Sequence, residues 1–392
     1  MKKICFITGS RAEYGLLRDL MLKVKKHKNL KIQVIASCMH LMPKFGSTYK
    51  EILKDGFKID HKVKMPISKS TPDSITKATG IGMIGFAKVL KKLKPDLVVV
   101  LGDRFEILAA AFAAHSEKIP IAHIGGGEST VGAIDESIRH SVTKMSALHF
   151  VTTKESKNRV IQLGENPKNV FLVGSLGVDR MKKLKLYSKK KLESKLKFKL
   201  AKNNILITYH PVTLDKGNEK KNIVALIKAL NIFKESKIIF TYPNVDSGSD
   251  FIVKQIKSFT KKNKKNTRLY KSLGDTTYLS LMKYVDLVIG NSSSGIIEAP
   301  SFKKIVINIG DRQLDRVKSK RIIELRNKKI NTKSLIKYFK IGMSNKFKRK
   351  VQKSKNPYET PNSVNKIMKI ISNFKKTNGS SIQKQFYNFK KK

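Results

Sequence analysis

A chain of 392 residues with 40% hydrophobic content can bury two cores of ordinary size. It contains no apolar run near the ~20 residues that a bilayer-spanning helix requires. Lys and Arg number 82 against 29 Asp and Glu, giving a formal charge of +53. The excess is mostly Lys scattered over the whole length. No recognition helix, zinc finger or aromatic RNP-like motif accompanies it, so nucleic acid is not the expected partner. A positive field of this kind instead draws in small anionic ligands such as nucleotides. The two cysteines, Cys5 and Cys38, form neither a disulfide framework nor a zinc pattern. They read as small buried hydrophobes of a cytoplasmic protein.

The start, Met1-Lys2-Lys3-Ile4-Cys5-Phe6-Ile7, has too short an apolar stretch for a signal peptide and reads as a first strand over Lys3–Ile7. The turn Thr8-Gly9-Ser10-Arg11-Ala12-Glu13-Tyr14-Gly15 follows. It lacks the full G-x-G-x-x-G spacing, so a dinucleotide fingerprint is not supported, although Arg11 is placed to meet a phosphate. Leu16, Leu17, Leu20 and Val24 give the first helix its apolar stripe. A second strand is expected over Lys31–Ala36, then a loop from Met39 through His40 to Thr48, and a long helix from Ile75 to Leu93.

The stretch Asp96–His140 carries the densest chemistry. Leu97–Leu101 has the length and β-branched content of a buried parallel strand, and it ends in Gly102-Asp103-Arg104 before an Ala-rich helix. Ile119–Ile124 then runs into three consecutive glycines and Glu128. Strand, charged turn, helix, strand and glycine turn is the grammar of a doubly wound sheet, whose ligands bind beyond the carboxyl ends of the strands. Asp103, Arg104, Glu128 and Asp135 all fall there. Asp is a favoured helix cap, which is the plain alternative for Asp103. Several charges at successive strand ends nevertheless point to a site. Strands Leu148–Thr152 and Val170–Val173 close this first region, and the Lys-rich Met181–Lys202 reads as a linker region opening a second domain.

The second half repeats the pattern. Asn204–Thr208 leads to Tyr209-His210-Pro211-Val212-Thr213, and Lys237–Phe240 leads to Tyr242-Pro243-Asn244. Asp286–Ile289 leads to Gly290-Asn291-Ser292-Ser293-Ser294-Gly295 and a helix with Glu298. Lys304–Ile309 leads to Gly310-Asp311-Arg312-Gln313. The serine run before a helix offers hydroxyls and backbone N–H groups to phosphate. Arg312 and His210 add a fixed cation and a proton donor. A last helix, Val364–Phe374, is expected to pack back on the first domain. The expected organisation is a Rossmann-like domain over 1–177, a second over 178–357, and a C-terminal helical segment over 358–392. The fold class is α/β, with two doubly wound parallel sheets facing across a cleft. No Walker lysine loop, metal-ligand cluster or nucleophile elbow is present, which leaves acid–base chemistry on a phosphate-bearing sugar.

These residues, in order over most of the chain, resemble the hydrolysing nucleotide-sugar 2-epimerases of sialic and legionaminic acid biosynthesis, which have the GT-B architecture. The matching pieces are Thr8 to Tyr14, Gly102-Asp103-Arg104, Gly126-Gly127-Glu128 and Ile134-Asp135-Glu136-Ser137-Ile138-Arg139-His140, continued by His210 to Thr213, Gly290 to Ser293, Glu298 and Asn308 to Gln313. The resemblance implies a UDP-sugar, typically UDP-N-acetylglucosamine, converted to N-acetylmannosamine and UDP by elimination and then hydration. By position, Asp103, Glu128 and Asp135 are the candidate acid–base residues. The resemblance assigns His210, Ser292, Ser293 and Arg312 to the pyrophosphate and Glu298 to the ribose; Arg11, Arg104, Arg139, Asn244 and Ser294 complete the expected binding set. No metal, nicotinamide or other cofactor, no nucleic acid and no membrane are implied, and a homodimer or tetramer is. One departure stands out: many relatives carry Glu or His immediately before Gly-Gly-Glu, and here that residue is Gly125. A UDP- or GDP-linked 2,4-diacetamido sugar is the matching substrate variant. A GT-B glycosyltransferase and a basic nucleic-acid-binding protein are the alternatives outside this chemistry.

Overall fold

The computed structural model describes residues 1–67, 71–212, 218–243, 248–375 and 382–388. Two compact units emerge, one formed by Met1–Glu128, Asp135–Arg180 and Thr360–Lys392, the other by Ser129–Ile134 and Met181–Glu359. Among the described residues, no helix is long and apolar enough to cross a membrane.

The first unit is built on seven parallel strands: β1 (Lys2–Thr8), β2 (Leu30–Ser37), β3 (His61–Val63), β4 (Leu97–Leu101), β5 (Ile121–Ile124), β6 (Leu148–Val151) and β7 (Val170–Leu172). They lie in the order β3-β2-β1-β4-β5-β6-β7. The helices are α1 (Arg11–Lys26), α2 (Tyr49–Lys54), α3 (Pro72–Leu93), α4 (Phe105–Ser116), α5 (Ile134–Met145) and α6 (Lys154–Gln162). The pleat sorts each central strand between two cores. Leu97 and Val99 join Ile4 and Phe6 under Leu17, Leu20 and Val24 of α1 and Ile367 and Ile371 of the helix Ser363–Asn373. Val98 and Val100 face the other way, with Cys5 and Ile7, onto Phe86 and Leu90 of α3 and Ala110 and Ala113 of α4.

The second unit has six parallel strands: β8 (Asn204–Thr208), β9 (Lys237–Thr241), β10 (Thr267–Tyr270), β11 (Leu287–Gly290), β12 (Ile305–Ile309) and β13 (Ile322–Leu325). Their order is β10-β9-β8-β11-β12-β13. Both sheets reverse direction of winding once, between β1 and β4 and between β8 and β11, and such a switch point is where ligands settle in open α/β sheets.

The structure corrects three sequence expectations. Met181–Lys202 is not merely a linker region: Leu176–Lys183 and Lys189–Leu196 are helices, and Leu192 and Leu196 are buried in a core with Leu206 and Val288. The segment after β2 is not an open loop but two short 3-10 turns, Cys38–Leu41 and Pro43–Phe45, in which His40 is fully buried between Thr8 and Thr48. The strands β3, β10 and β13 have no counterpart in the apolar runs. All three are edge strands, short and half-exposed, and so carry no continuous apolar signal.

Beyond the helix Ser363–Asn373, residues 382–388 lie against the first unit. Lys384 Nζ donates to the carbonyls of Lys144 (2.6 Å) and Ser146 (2.8 Å) at the end of α5 and to both carboxylate oxygens of Glu165. Glu165, 2% exposed, also accepts from Lys144 (2.7 Å) and from His149 Nε2 (3.0 Å). Burial opposes ionisation of Glu165, but the donors from His149, Lys144 and Lys384 outweigh it and hold the carboxyl at about 2. Replacing Glu165 by Ala should therefore cost about 1.5–3 kcal/mol of stability at pH 7. A carboxyl lowered in the folded state contributes above its unfolded pKa, so this penalty should shrink as pH falls from the ordinary carboxylate range towards 2. Urea unfolding of wild type and variant across that range measures it; a penalty independent of pH would contradict the assignment.

Candidate functional site

In the first unit the site is assembled around one guanidinium. Arg139, on α5 and 1% exposed, donates from Nε (3.0 Å) and Nη2 to Asp103 Oδ2, and from Nη1 to Glu136 (2.6 Å) and the Glu128 carbonyl (2.9 Å). A buried cation must be matched by fixed acceptors, and here the acceptors come from the turn after β4, the turn after β5 and α5 itself. Asp103 is not the helix cap: Arg104 occupies the N-cap of α4 and makes no side-chain cap bond. The Glu128 carboxylate accepts from Thr152 Oγ1 at the end of β6 (3.0 Å). Asp135 sits half-buried in the first turn of α5. Glu136, which the sequence reading did not single out, also meets His140 Nε2 at 3.1 Å.

A buried histidine fixes the backbone under these carboxylates. Burial lowers the His123 imidazole to about 4, so it is neutral at pH 7. Because a carbonyl only accepts, its Nε2 carries the proton donated to Gly102 (2.8 Å), and Nδ1 faces Thr143 of α5 (3.2 Å). The Asp103 turn is thus tied to α5 twice, through His123 and Arg139. Gly125 has φ +89, a left-handed conformation that disfavours any side chain, and a Cβ there would meet only the Gly102 nitrogen at 4.0 Å.

A carboxyl pair missed by sequence reasoning lies at the β1/β4 switch point. Glu13 Oε2 accepts the Gly9 N–H at 2.7 Å, and Glu106 packs so closely on Gly9 that a Cβ there would lie 2.4 Å from its Cγ. Glu106 is fully buried and accepts from Arg104 Nε at 3.0 Å. Each carboxyl keeps one buried oxygen without a hydrogen-bond partner, Glu13 Oε1 and Glu106 Oε2. Burial first, and then the neighbouring Glu106, push the Glu13 carboxyl well above the usual range. Both residues occupy helical positions that a sequence reads as solvated; only their approach to Gly9 exposes the difference. Arg11, by contrast, is half-exposed and paired with Glu51 at 3.0 Å.

In the second unit His210 follows β8 and is buried. Its backbone is held by Asn291, and the Asn291 carbonyl in turn accepts from Arg312 Nη1 (3.2 Å) and Gln313 Nε2 (2.9 Å). Ser292 caps the short helix Ser293–Ile297, accepting from Ser294 N–H, and Ser294 Oγ meets the Tyr278 hydroxyl. Glu298 closes that helix as its C-cap. The expected Asn244 and Thr213 lie outside the described residues. Among the described residues no group of three or more His, Cys, Asp or Glu is arranged to hold a metal ion.

The sequence model of a family described as UDP-N-acetylglucosamine 2-epimerase matches residues 22–372, most of the chain. The chain belongs to that family. Among the 2-epimerase family's members it is 45% identical over 323 residues, 82% of its length and 84% of the relative's, to the GDP/UDP-N,N'-diacetylbacillosamine 2-epimerase (hydrolyzing) of Campylobacter jejuni. It is 39% identical to the polysialic acid biosynthesis protein P7 of Escherichia coli, covering 99% of this chain and 97% of that one. In fold, the epimerase chain matches the crystal structure of UDP-GlcNAc 2-epimerase from Neisseria meningitidis bound to UDP-GlcNAc, with a TM-score of 0.79 at 21% identity over 94% of this chain and 99% of that one. The architecture is therefore the GT-B-like one, two parallel-sheet α/β units of seven and six strands.

The raised Glu13 carboxyl has a measurable consequence for this epimerase. A proton that the folded chain keeps and the unfolded chain releases makes stability fall as pH rises above the ordinary carboxylate range. Glu13→Gln keeps an acceptor for Gly9 and removes that titration. Its stability should exceed that of wild type at pH 8, with a slope flatter by about 1 kcal/mol per pH unit. Denaturant unfolding between about pH 5 and pH 8, the window in which the folded chain holds the extra proton, measures both slopes. Parallel slopes would show that Glu13 ionises in the folded chain as in the unfolded one.

Proposed function

We propose that this epimerase is of the hydrolysing type, converting UDP-N-acetylglucosamine and water to N-acetylmannosamine and UDP for nonulosonic (sialic or legionaminic) acid synthesis. The observation that carries this reading is the set of carboxylates held at the strand ends around buried Arg139. A base removes the weakly acidic C2 proton while the C1–O bond breaks and UDP departs with the electron pair, leaving a 2-acetamidoglycal. Water then adds its oxygen to C1 as a proton returns to C2 on the opposite face. Asp103, Glu128 and Asp135 are the acid–base candidates, since proton transfer at carbon needs a fixed carboxylate.

In this reading the first unit acts on the sugar and the second on the nucleotide. His210 supplies a proton to the departing diphosphate, with Arg312, Ser292, Ser293 and Ser294 as phosphate ligands and Glu298 as the ribose ligand. Arg11, Arg104 and Asn244 complete the binding set. Neither metal nor nicotinamide is called for. Gly125 favours one variant of the same chemistry, a UDP- or GDP-linked 2,4-diacetamido sugar. The missing side chain leaves open space beside the Gly102 turn for an additional substituent, and the name of the Campylobacter jejuni relative points the same way. The two cysteines are free and buried, which fits a reducing cytoplasm. Ile81 and Ile84 on α3 and Phe112 on α4 are exposed, and they support a homo-oligomer through that helical face.

Incubation in deuterium oxide with UDP-N-acetylglucosamine, followed by proton NMR, should yield free UDP and N-acetylmannosamine deuterated at C2. Asp103→Asn, Glu128→Gln and Asp135→Asn should each slow turnover by about 10²-fold or more where the carboxylate moves the proton. Turnover of the diacetamido sugar alone would select the variant substrate, and turnover of neither would overturn the epimerase chemistry. Ile84→Glu should shift the mass measured by light scattering towards the monomer; an unchanged mass would remove α3 from the interface.

A further inference from the structure

We propose that Asn291 is the positioning residue of His210, holding it through its side chain while its main chain separately holds Arg312. The inference rests on the reading that His210 serves the departing diphosphate. Asn291 is 1% exposed and stands directly after β11, beside β8 at the switch point of the second sheet. Its Oδ1 accepts the His210 N–H at 2.7 Å and its Nδ2 donates to the His210 carbonyl at 2.8 Å. One carboxamide thus satisfies both backbone groups of a buried residue, as a neighbouring strand would.

The β8–β11 ladder explains why a side chain takes over there. Its last pair is Thr208 with Gly290, and the Asn291 N–H still reaches the Thr208 carbonyl at 3.2 Å. Gly290 has φ +136, and a Cβ on it would lie 1.9 Å from the Thr208 oxygen, so the two backbones touch. Beyond that point the main chain of residue 291 turns away to accept from Arg312 and Gln313. The side chain continues the ladder to His210. Asn is the residue of this length that carries both a donor and an acceptor; Asp lacks the donor, and Gln is one methylene too long. Truncation at this position would remove both carboxamide hydrogen bonds to the buried His210 backbone and release the segment they hold. The anchors of Arg312 and Gln313 are backbone atoms and survive truncation.

The division between side chain and main chain defines the test. Asn291→Ala should lower kcat by about 10²-fold, the scale on which a displaced catalytic group loses rate. KM and the affinity for UDP, read by calorimetry, should stay within about threefold, because Arg312 keeps its anchor. Asn291→Asp, which retains the acceptor, should fall between wild type and Ala. The double variant His210→Ala with Asn291→Ala should be no slower than His210→Ala alone, since a residue acting through another adds nothing once that other is gone. The pH dependence of kcat/KM that His210→Ala removes should also be displaced in Asn291→Asp. Circular dichroism confirms that each variant is folded, and if Asn291→Ala is not, the neutral Asn291→Ser carries the same cycle. Multiplicative losses in the cycle, wild-type kcat in a folded Asn291→Ala, or loss of UDP affinity in step with kcat would overturn the positioning role alone. A His210→Ala enzyme with wild-type kcat would instead overturn the role of His210, and this inference with it.

Discussion

The burial of a single guanidinium organises the first unit's site. Arg139 is cut off from water, so its charge has to be answered by acceptors that cannot move away. Asp103, Glu136 and the Glu128 carbonyl supply them from three separate chain segments. Each partner is also fixed by something else: Asp103 by a turn tied through His123, Glu128 by Thr152, Glu136 by its own helix. The carboxyl groups are consequently held in place by the fold itself. The same arrangement makes the site intolerant of losing Arg139, because its removal would strand a partly buried Asp103 and a backbone carbonyl together.

The two units solve one topological problem with different chemistry. Each sheet winds outward in both directions from a pair of central strands and so opens a crevice at their carboxyl ends. In the first unit the residues bridging these ends are acidic: Glu13 and Glu106 crowd Gly9, and Arg104 is bound to Glu106. In the second unit the bridge is a neutral amide, Asn291, with Arg312 close behind it. An amide ties the two strands together without adding a charge beside Arg312. The same topological position thus carries an acid pair in one unit and a neutral amide in the other.

Parts of this were legible in the amino-acid order because burial leaves a one-dimensional trace. Leu97–Leu101 and Asn204–Thr208 appear as apolar runs at the lengths the sheets use, since a central parallel strand is covered on both faces and needs no alternation. The polar turns after them were visible too, because Gly, Asp, Ser and His interrupt the apolar pattern abruptly. The edge strands His61–Val63, Thr267–Tyr270 and Ile322–Leu325 left no such trace, being half-exposed. Leu192 and Leu196 were hidden among lysines whose long side chains reach solvent while the leucines turn inward.

What the sequence by itself determined is the class of sheet, the order of its central strands' turns and the stock of carboxylates, hydroxyls and cations delivered to the strand ends. Local periodicity and turn chemistry are sufficient for that. Only the tertiary structure decided which of those groups meet. Asp103 and Arg139 are 36 positions apart, and His210 and Asn291 are 81 apart. No local rule selects such pairs; they follow from which strands become neighbours and from where a buried donor must find its acceptor. The same cause separates Glu13 and Glu106 from the many acidic residues that face water. A side chain's charge is written in the sequence, but its access to solvent is set by the backbone that closes over it.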